Sequence, residues 1–546
     1  VIIIKKNRNK LKKPQKLSNI EDRKEEVRIF DDNMTQFTHQ LQANINIINE
    51  YLGENVDLAC RYIDINTIPI TRAAIIFIRS IADTQKLEAT VIEPLAHNIL
   101  QSLKKDSYDD YSKTADAVKD LVTNSEVEGI FDVNTSIDAL LKGNGILFID
   151  DNPIAFKIGI VKESEKKYAD AKTERVIMGP QEAFVEDIEA FVEDINENTF
   201  MLRKKINSPH FIVKEIIIGR HSKTKVRIAY LDNLVKSSIV DEVFFRLEKI
   251  DVDGIMGSSS VSEYISDSPA SLFPTIFSTE RPDRIQAMLL EGRVAIISDG
   301  SPIALVVPCV AGDFFSTPED YYLNFYFTSF NRLLGYIGAI FVMFAPSIYI
   351  AFTTYHQELL PTSLALTISG TRLGVPYPAF LEALLMEISF EALREAGTRL
   401  PIHAGQAVSI VGALIIGQSA VEAGLVSPTV IIVVAFTAIF SLAMPFNNFS
   451  MALRLTRFLN MTLAAILGIY GIMTGALIIL LTLLSLRAFG TPFMLPFSPL
   501  NLQDLKDWVL RFPQWAITKR SSYFSINPQK KADNLKPTPS DEGMKK

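Results

Sequence analysis

An α/β soluble N-terminal region of two related subdomains, followed by an α-helical multi-span membrane domain, is the architecture this 546-residue sequence predicts. Three observations predict it. Four long, predominantly apolar stretches without Asp, Glu, Lys or Arg lie in the second half and no comparably apolar one in the first. The first half contains a segment that recurs at an offset of 149 residues. Mean hydropathy of +0.18 beside a net charge of -7 is too apolar for an ordinary soluble protein and too polar for one built only of spans.

Residues 1–35 read as a basic disordered tail. The opening VIIIKKNRNKLKKPQK places an apolar tetrad ahead of the basic cluster, the reverse of a secretory signal. It reads as a solvated segment, with attraction to an anionic leaflet as the alternative. The two α/β subdomains are expected at 36–165 and 205–315. LLKGNGILFIDDNPIA from Leu140 and LLEGRVAIISDGSPIA from Leu289 align without a gap, each reading as helix end, glycine cap, strand, tight turn and strand. Upstream of each lies a further β-rich run, RAAIIFIRS from Arg72 and KVRIAYLDN from Lys225. Between the subdomains a helical connector is expected at 166–204, carrying EAFVEDI twice in succession, from Glu182 and from Glu189, on one exposed helix.

Composition also sets what the chain is not expected to do. An acidic balance with pI near 5.6 gives no general attraction to nucleic acid, and two cysteines, Cys60 and Cys309, supply neither a disulfide framework nor a tetrathiolate site. The six histidines are scattered without an HExxH pattern, and no phosphate-binding GxxxxGK[ST] is present. Neither an enzyme nor a bound cofactor or metal is therefore expected.

The membrane domain is expected at 316–490, with residues 491–546 as a cytoplasmic C-terminal tail. Its uncharged stretches run Leu333 to Thr354, Gly405 to Val421, Ser427 to Leu453 and Phe458 to Leu486. Crossing a hydrocarbon core takes roughly 20 apolar residues, which three of the four supply. Gly412 and Gly417 sit where small residues let helices approach closely. Between the first two stretches, PYPAFLEALLMEISFEALREAGTRLP from Pro376 is a punctuated helix. Glu387, Glu391, Arg394 and Glu395 recur at i, i+4, i+7 and i+8 as one acidic stripe, opposite an apolar surface of Leu381, Leu384, Leu385, Ile388 and Ala392. That stripe suits the lining or gate of a cation path; the alternative is an interfacial helix with its acids in solvent. With four crossings, Arg454 and Arg457 form a loop that opposes the positive-inside tendency and act as topology determinants. Both tails are expected in the cytoplasm, with the helix from Pro376 re-entrant or interfacial.

From Glu280 onward the chain resembles the A-subunit family of spore nutrient-germinant receptors. The resemblance is carried by ERPDRIQAMLLEGRVAI from Glu280, PEDYY from Pro318, HQELLPT from His356, LREAGTRLP from Leu393, GQAVSIVGALIIGQSAV from Gly405, GLVSP from Gly424 and FGTPFMLPFSP from Phe489. It extends more loosely upstream through MGPQEAF from Met178, where relatives often carry Arg in place of Met178. What it implies is a multi-pass subunit of the spore inner membrane, its N-terminal domain cytoplasmic. It further implies partnership with a transporter-like B subunit that binds nutrient and a lipoprotein C subunit, and a homo-oligomer that forms or gates an ion channel. An accessory role at the spore dipicolinate channel, or a membrane-anchored scaffold, is the alternative.

Overall fold

The computed structural model describes residues 36–65, 71–97, 122, 126–162, 189–399, 412, 415–445, 447–502 and 504–526. The basic tail at 1–35, the first copy of the duplicated heptad and most of the run from Gly405 to Val421 lie outside the described residues.

Subdomain 1 runs α1 (Leu41–Leu52), β1 (Leu58–Ile65), β2 (Thr71–Ile78), β3 (Val127–Ile130), α2 (Val133–Leu141), β4 (Gly145–Ile149) and β5 (Ala155–Ile158). Its sheet has the order β1-β2-β4-β5-β3, every described pairing antiparallel. Subdomain 2 repeats the plan with α3 (Ile195–Lys205), β6 (Phe211–Ile218), β7 (Thr224–Leu231), α4 (Ser237–Glu248), α5 (Ser258–Ile265), β8 (Phe277–Thr279), α6 (Pro282–Leu289), β9 (Val294–Ser298) and β10 (Ala304–Val307). Its order is β6-β7-β9-β10-β8. The central strands β4 and β9, GILFI and VAIIS, are buried at every position, because helices cover both sheet faces. Gly143 and Gly292 end α2 and α6 at φ +90° and +91°, the left-handed conformation that closes a helix, and each amide donates back to the last turn at 3.0 Å.

The repeat begins earlier than the sequence suggests. Thr38 N donates to Asn44 Oδ1 (2.8 Å) and Asn44 Nδ2 to Thr38 O (2.7 Å); Val192 N and Asn198 make the same reciprocal pair at 2.8 and 2.6 Å. Asn44 and Asn198 are fully buried, and Phe37 and Phe191, at the same positions in the two lead-ins, are buried as well. The second heptad, Glu189 to Ile195, is therefore not part of an exposed connecting helix. Residues 189–194 precede α3, and Asp194 caps its N-terminus by accepting from Asn196 N at 2.7 Å. The α3 helix belongs to subdomain 2, so the boundary expected at 205 falls near 190.

The subdomains meet at a buried ion pair. Arg203 of α3 donates from Nε and Nη2 to Asp57 at 3.0 and 2.8 Å, and from Nη1 to Phe211 O at 3.0 Å. Ser80 adds a 2.6 Å bond to the same carboxylate. Burial on its own pushes the Asp57 carboxyl up, but the Arg203 charge and these hydrogen bonds prevail and hold it below the usual carboxylate value.

A helical region follows: α7 (Phe325–Thr354), α8 (Thr362–Arg372), α9 (Ala379–Arg399), α10 (Pro428–Ala443), α11 (Asn447–Leu467) and α12 (Ile469–Ser485), with a further helical stretch at 415–422. Among the described residues α7 is the one helix long and apolar enough to cross a membrane by length and composition; its 30 residues reach about 45 Å. The helices Pro428–Leu442 and Ile469–Ser485 are apolar but shorter.

The structure moves two expected boundaries. The stretch from Ser427 to Leu453 breaks after Ala443, before Pro445, and α11 starts at Asn447. The stretch from Phe458 to Leu486 is not one helix: Gly468, at φ +60°, ends α11 and reverses the chain into α12. The tail expected after residue 490 is packed up to residue 526. Phe493, Leu495 and Phe524 are buried, Ser525 bridges Val235, and Ile526 N donates to Leu234 O at 2.8 Å.

A buried charge cluster as candidate functional site

The helix α9 carries the acidic stripe, and its neighbours decide what that stripe does. Seven-residue spacing keeps Glu387 and Arg394 on nearly one line, but depth differs along it. Side-chain exposure is 0 % at Glu387, 27 % at Glu391 and 59 % at Glu395, so the stripe runs from the bundle interior to its edge. Glu395 pairs with Arg399 one turn on, at 2.7 Å, near the exposed end.

Arginines from α11 meet the buried end. Arg457 places Nη1 2.8 Å from Glu387 Oε2 and donates from Nη2 to Glu391 Oε1 at 3.0 Å; Arg454 Nη1 donates to Glu391 Oε2 at 2.6 Å. Thr437 of α10 donates its hydroxyl to Glu387 Oε1 at 3.2 Å. Carboxylates at i, i+4 on α9 thus face guanidiniums at i, i+3 on α11, spacings that put each pair on one helix face. Charges cancel within the cluster, two acids against two arginines. Arg394 donates to Ser441 Oγ at 2.8 Å, extending the polar contacts to α10.

Arg454 and Arg457 lie in mid-helix, not in a loop, and Arg457 is almost wholly buried. Their expected role as orientation determinants loses its basis, because both lie inside one continuous helix, Asn447–Leu467, rather than in a loop between spans. Splitting the sequence at charged residues hid them.

Glu382, which the sequence places off the stripe, proves equally buried at 0 % exposure. One oxygen accepts from Arg372 Nε at 3.1 Å and the other from Ser427 N at 3.1 Å, at the N-terminus of α10, where the helix dipole favours a negative charge. Tyr349 of α7 lies 3.3 Å from the Ser427 hydroxyl. No sequence signal beyond the Glu itself marked this contact, since its partners are 10 and 45 residues away.

The apolar side of α9 faces outward. Leu381, Leu385 and Ile388 are 44–54 % exposed while Glu382 and Glu387 are buried, the inverse of a helix whose acids rest in solvent. Similar outward apolar faces run along α7 (Leu333, Ile337, Ile340), α10 (Ile432, Phe436, Ile439) and α12 (Met473, Leu477, Leu480).

The packing glycines are only partly those expected. A Cβ on Gly412 would lie 2.6 Å from Leu393 Cδ1, a close approach to α9, but one on Gly417 would meet Ile431 at an ordinary 3.8 Å. Among the described α-helix glycines the tightest are Gly471, 2.0 Å from Leu463 O, and Gly475, 2.0 Å from Asn460 Oδ1, where α12 folds against α11.

Charge also ties the helical region to the soluble one. Arg332, in the second turn of α7, donates to Asp320 at 2.5 Å and to Asp507 at 2.9 Å, joining the entry to α7 with the segment that leaves α12. Arg511 Nη1 donates to Leu323 O (2.8 Å), and Phe489 N to Asp267 of subdomain 2.

Comparison with known proteins places this arrangement. A family model described as Bacillus/Clostridium GerA spore germination protein matches residues 46–523, from α1 to the last described turn. The chain belongs to the GerA spore germination protein family. It is 36 % identical over 484 residues to spore germination protein KA of Bacillus subtilis, covering 88 % of this chain and 86 % of that one. It is 34 % identical to spore germination protein B1 of the same organism, covering 89 % and 97 %, and 35 % identical to its uncharacterized membrane protein YfkQ, covering 85 % and 88 %. The crystal structure of the N-terminal domain of the A subunit of the Bacillus megaterium spore germinant receptor GerK3 matches at 28 % identity and a TM-score of 0.38, covering 50 % of this chain and 97 % of that one. The GerA match takes in both soluble repeats and the whole charge cluster.

Proposed function

We propose that this GerA-family chain is the A subunit of a germinant receptor whose helical region is embedded in the spore inner membrane and holds a closed ion gate at Glu387, Glu391, Arg454 and Arg457. The observation that carries the reading is the pairing of wholly buried Glu387 with buried Arg457 inside helices whose outer surfaces are apolar. In hydrocarbon, ionisable side chains are expensive and face the bundle interior in pairs, whereas a soluble bundle puts them outside. The relative YfkQ, an uncharacterized membrane protein, supports the same direction.

In this reading the topology is multi-pass with even parity. The chain enters α7 from subdomain 2 and, after α12, returns to bridge Val235 of that subdomain through Ser525. Entry and exit on one face require an even number of crossings, with the N-terminal domain and the C-terminal segment both cytoplasmic.

The closed state suppresses a cation path because the acids are neutralised. Breaking such a buried pair costs about 3–5 kcal/mol, which holds the separated form to roughly 1 % or less. A ligand signal must supply differential binding of that size to open it. Nutrient binding at a transporter-like B subunit, with the lipoprotein C subunit, is the assigned source, and a ring of A subunits the assigned channel. No catalytic step is assigned to the chain. Reconstitution of this chain alone and with partner subunits, measuring nutrient-triggered cation current, tests the reading. Current confined to the full assembly and altered by Glu387→Gln supports it; nutrient-triggered current in Glu387→Gln and Arg457→Met assemblies unchanged from wild type contradicts it.

A further inference from the structure

A second polar site lies away from the gate, where soluble and helical parts meet. Between α6, residues 308–322 and the C-terminal segment is a cleft of about 120 Å³ lined by Arg284, Arg293, Trp508, Lys519 and Arg520, among others. Arg284 is 5 % exposed, and its hydrogen bonds go to neutral groups, Asp313 O at 3.0 Å and Ser316 Oγ at 2.8 Å, with the Phe277 ring 5.3 Å away. Three buried polar atoms of the lining residues have no hydrogen-bond partner: Arg284 Nε, Arg293 Nε and Trp508 Nε1. All three are N–H donors, and none meets an acceptor although four carboxylates also line the cleft.

The carboxylates nearby are largely committed. Asp313 takes both Arg293 Nη atoms at 2.5 and 3.0 Å, Glu291 takes Arg293 Nη2 at 3.1 Å, and Asp507 takes Arg332 from outside the cleft at 2.9 Å. Asp504, which accepts from Asn501 Nδ2 at 3.0 Å, lines the same cleft. Arg520 Nε donates to Leu290 O at 2.8 Å, and Lys519 is exposed at the rim. A buried guanidinium with neutral partners is costly to desolvate unless an anion joins it. Charge-assisted bonds from Arg to a carboxylate or phosphate are the strong kind.

We propose that this cleft binds a small oxyanion, a phosphate or carboxylate group, through Arg284 with Lys519 at its mouth. Because Asp507 links the cleft floor to Arg332 on α7, an occupant there bears on the first helix of the bundle. The shared chemistry has two sources, a soluble anion or a lipid headgroup.

Inorganic phosphate is titrated into the full chain in neutral-lipid nanodiscs at fixed ionic strength, for wild type, Arg284→Gln and Lys519→Gln. Saturable binding, lost in Arg284→Gln and weakened severalfold in Lys519→Gln at an unchanged thermal midpoint, supports a soluble oxyanion. Lys519 is exposed, so that variant stays informative if Arg284→Gln fails to fold. No phosphate binding in neutral discs, but a midpoint raised by anionic lipid in wild type and not in Lys519→Gln, assigns the oxyanion to a headgroup. Absence of both effects, or phosphate binding equal in wild type and Lys519→Gln, overturns the proposal.

Discussion

Replacing Arg457 by Met isolates the energetic content of the charge cluster. Glu387 then keeps the Thr437 hydroxyl, 3.2 Å away, as its hydrogen bond and only the more distant charge of Arg394, while Glu391 keeps Arg454 at 2.6 Å. A wholly buried carboxylate stripped of its cation costs about 3–5 kcal/mol, roughly two to four orders of magnitude in the unfolding constant. Glu387→Gln is milder, about 1–3 kcal/mol, because Arg457 still holds Glu391 at 3.0 Å. In the double variant no lone carboxylate remains, so it should be more stable than Arg457→Met alone, with a coupling of about 1.5–3 kcal/mol. Equilibrium unfolding of the full chain in mixed micelles, run on all four proteins, measures that coupling. Strict additivity would mean that the two side chains do not interact, and the gate argument would lose its foundation.

Other consequences follow from the same contacts. Asp57 has a folded-state pKa below its unfolded value, so its contribution is present above about pH 4 and fades as pH falls through the folded value. Asp57→Asn should cost about 3–5 kcal/mol at pH 7 and flatten this acid limb; an unchanged limb refutes the latch. Gly475→Ala should destabilise by about 1–3 kcal/mol, since its Cβ would sit 2.0 Å from Asn460 Oδ1, whereas Gly417→Ala should be silent in the same unfolding assay. Equal effects at the two glycines contradict the packing described. Exposed Cys60 and an introduced Ser521→Cys should react with an impermeant thiol reagent from the same side of sealed vesicles; labelling from opposite sides rules out even parity.

The sequence showed the repeated hairpin because its offset of 149 is constant from α2 to β5 and from α6 to β10. Between Asn44 and Asn198 the offset is 154, and that shift hid the opening helix of the second copy. The tandem heptad then looked like a helical connector, although Phe191 is buried and helix begins only at Ile195. In the second half, dividing the chain at charges separated Arg454 and Arg457 from the helix that holds them. Backbone breakers, Pro445 and Gly468, set the real ends. The acidic stripe was legible from its spacing. Its partners were not, because Arg457 lies 66 residues from Glu391 and only tertiary packing brings them together.

The central claim is that α9 turns its apolar face to lipid and its acids inward. Photolabelling from a lipid-phase reagent tests it most directly, using single cysteines at Leu385, Ile388 and Ile439 against Ala383 and Met386, in membranes holding the assembled receptor. Heavy labelling at the first three and little at the last two is the predicted result; reaction of Ile388→Cys with a water-soluble thiol reagent, and none with the lipid-phase one, would contradict it.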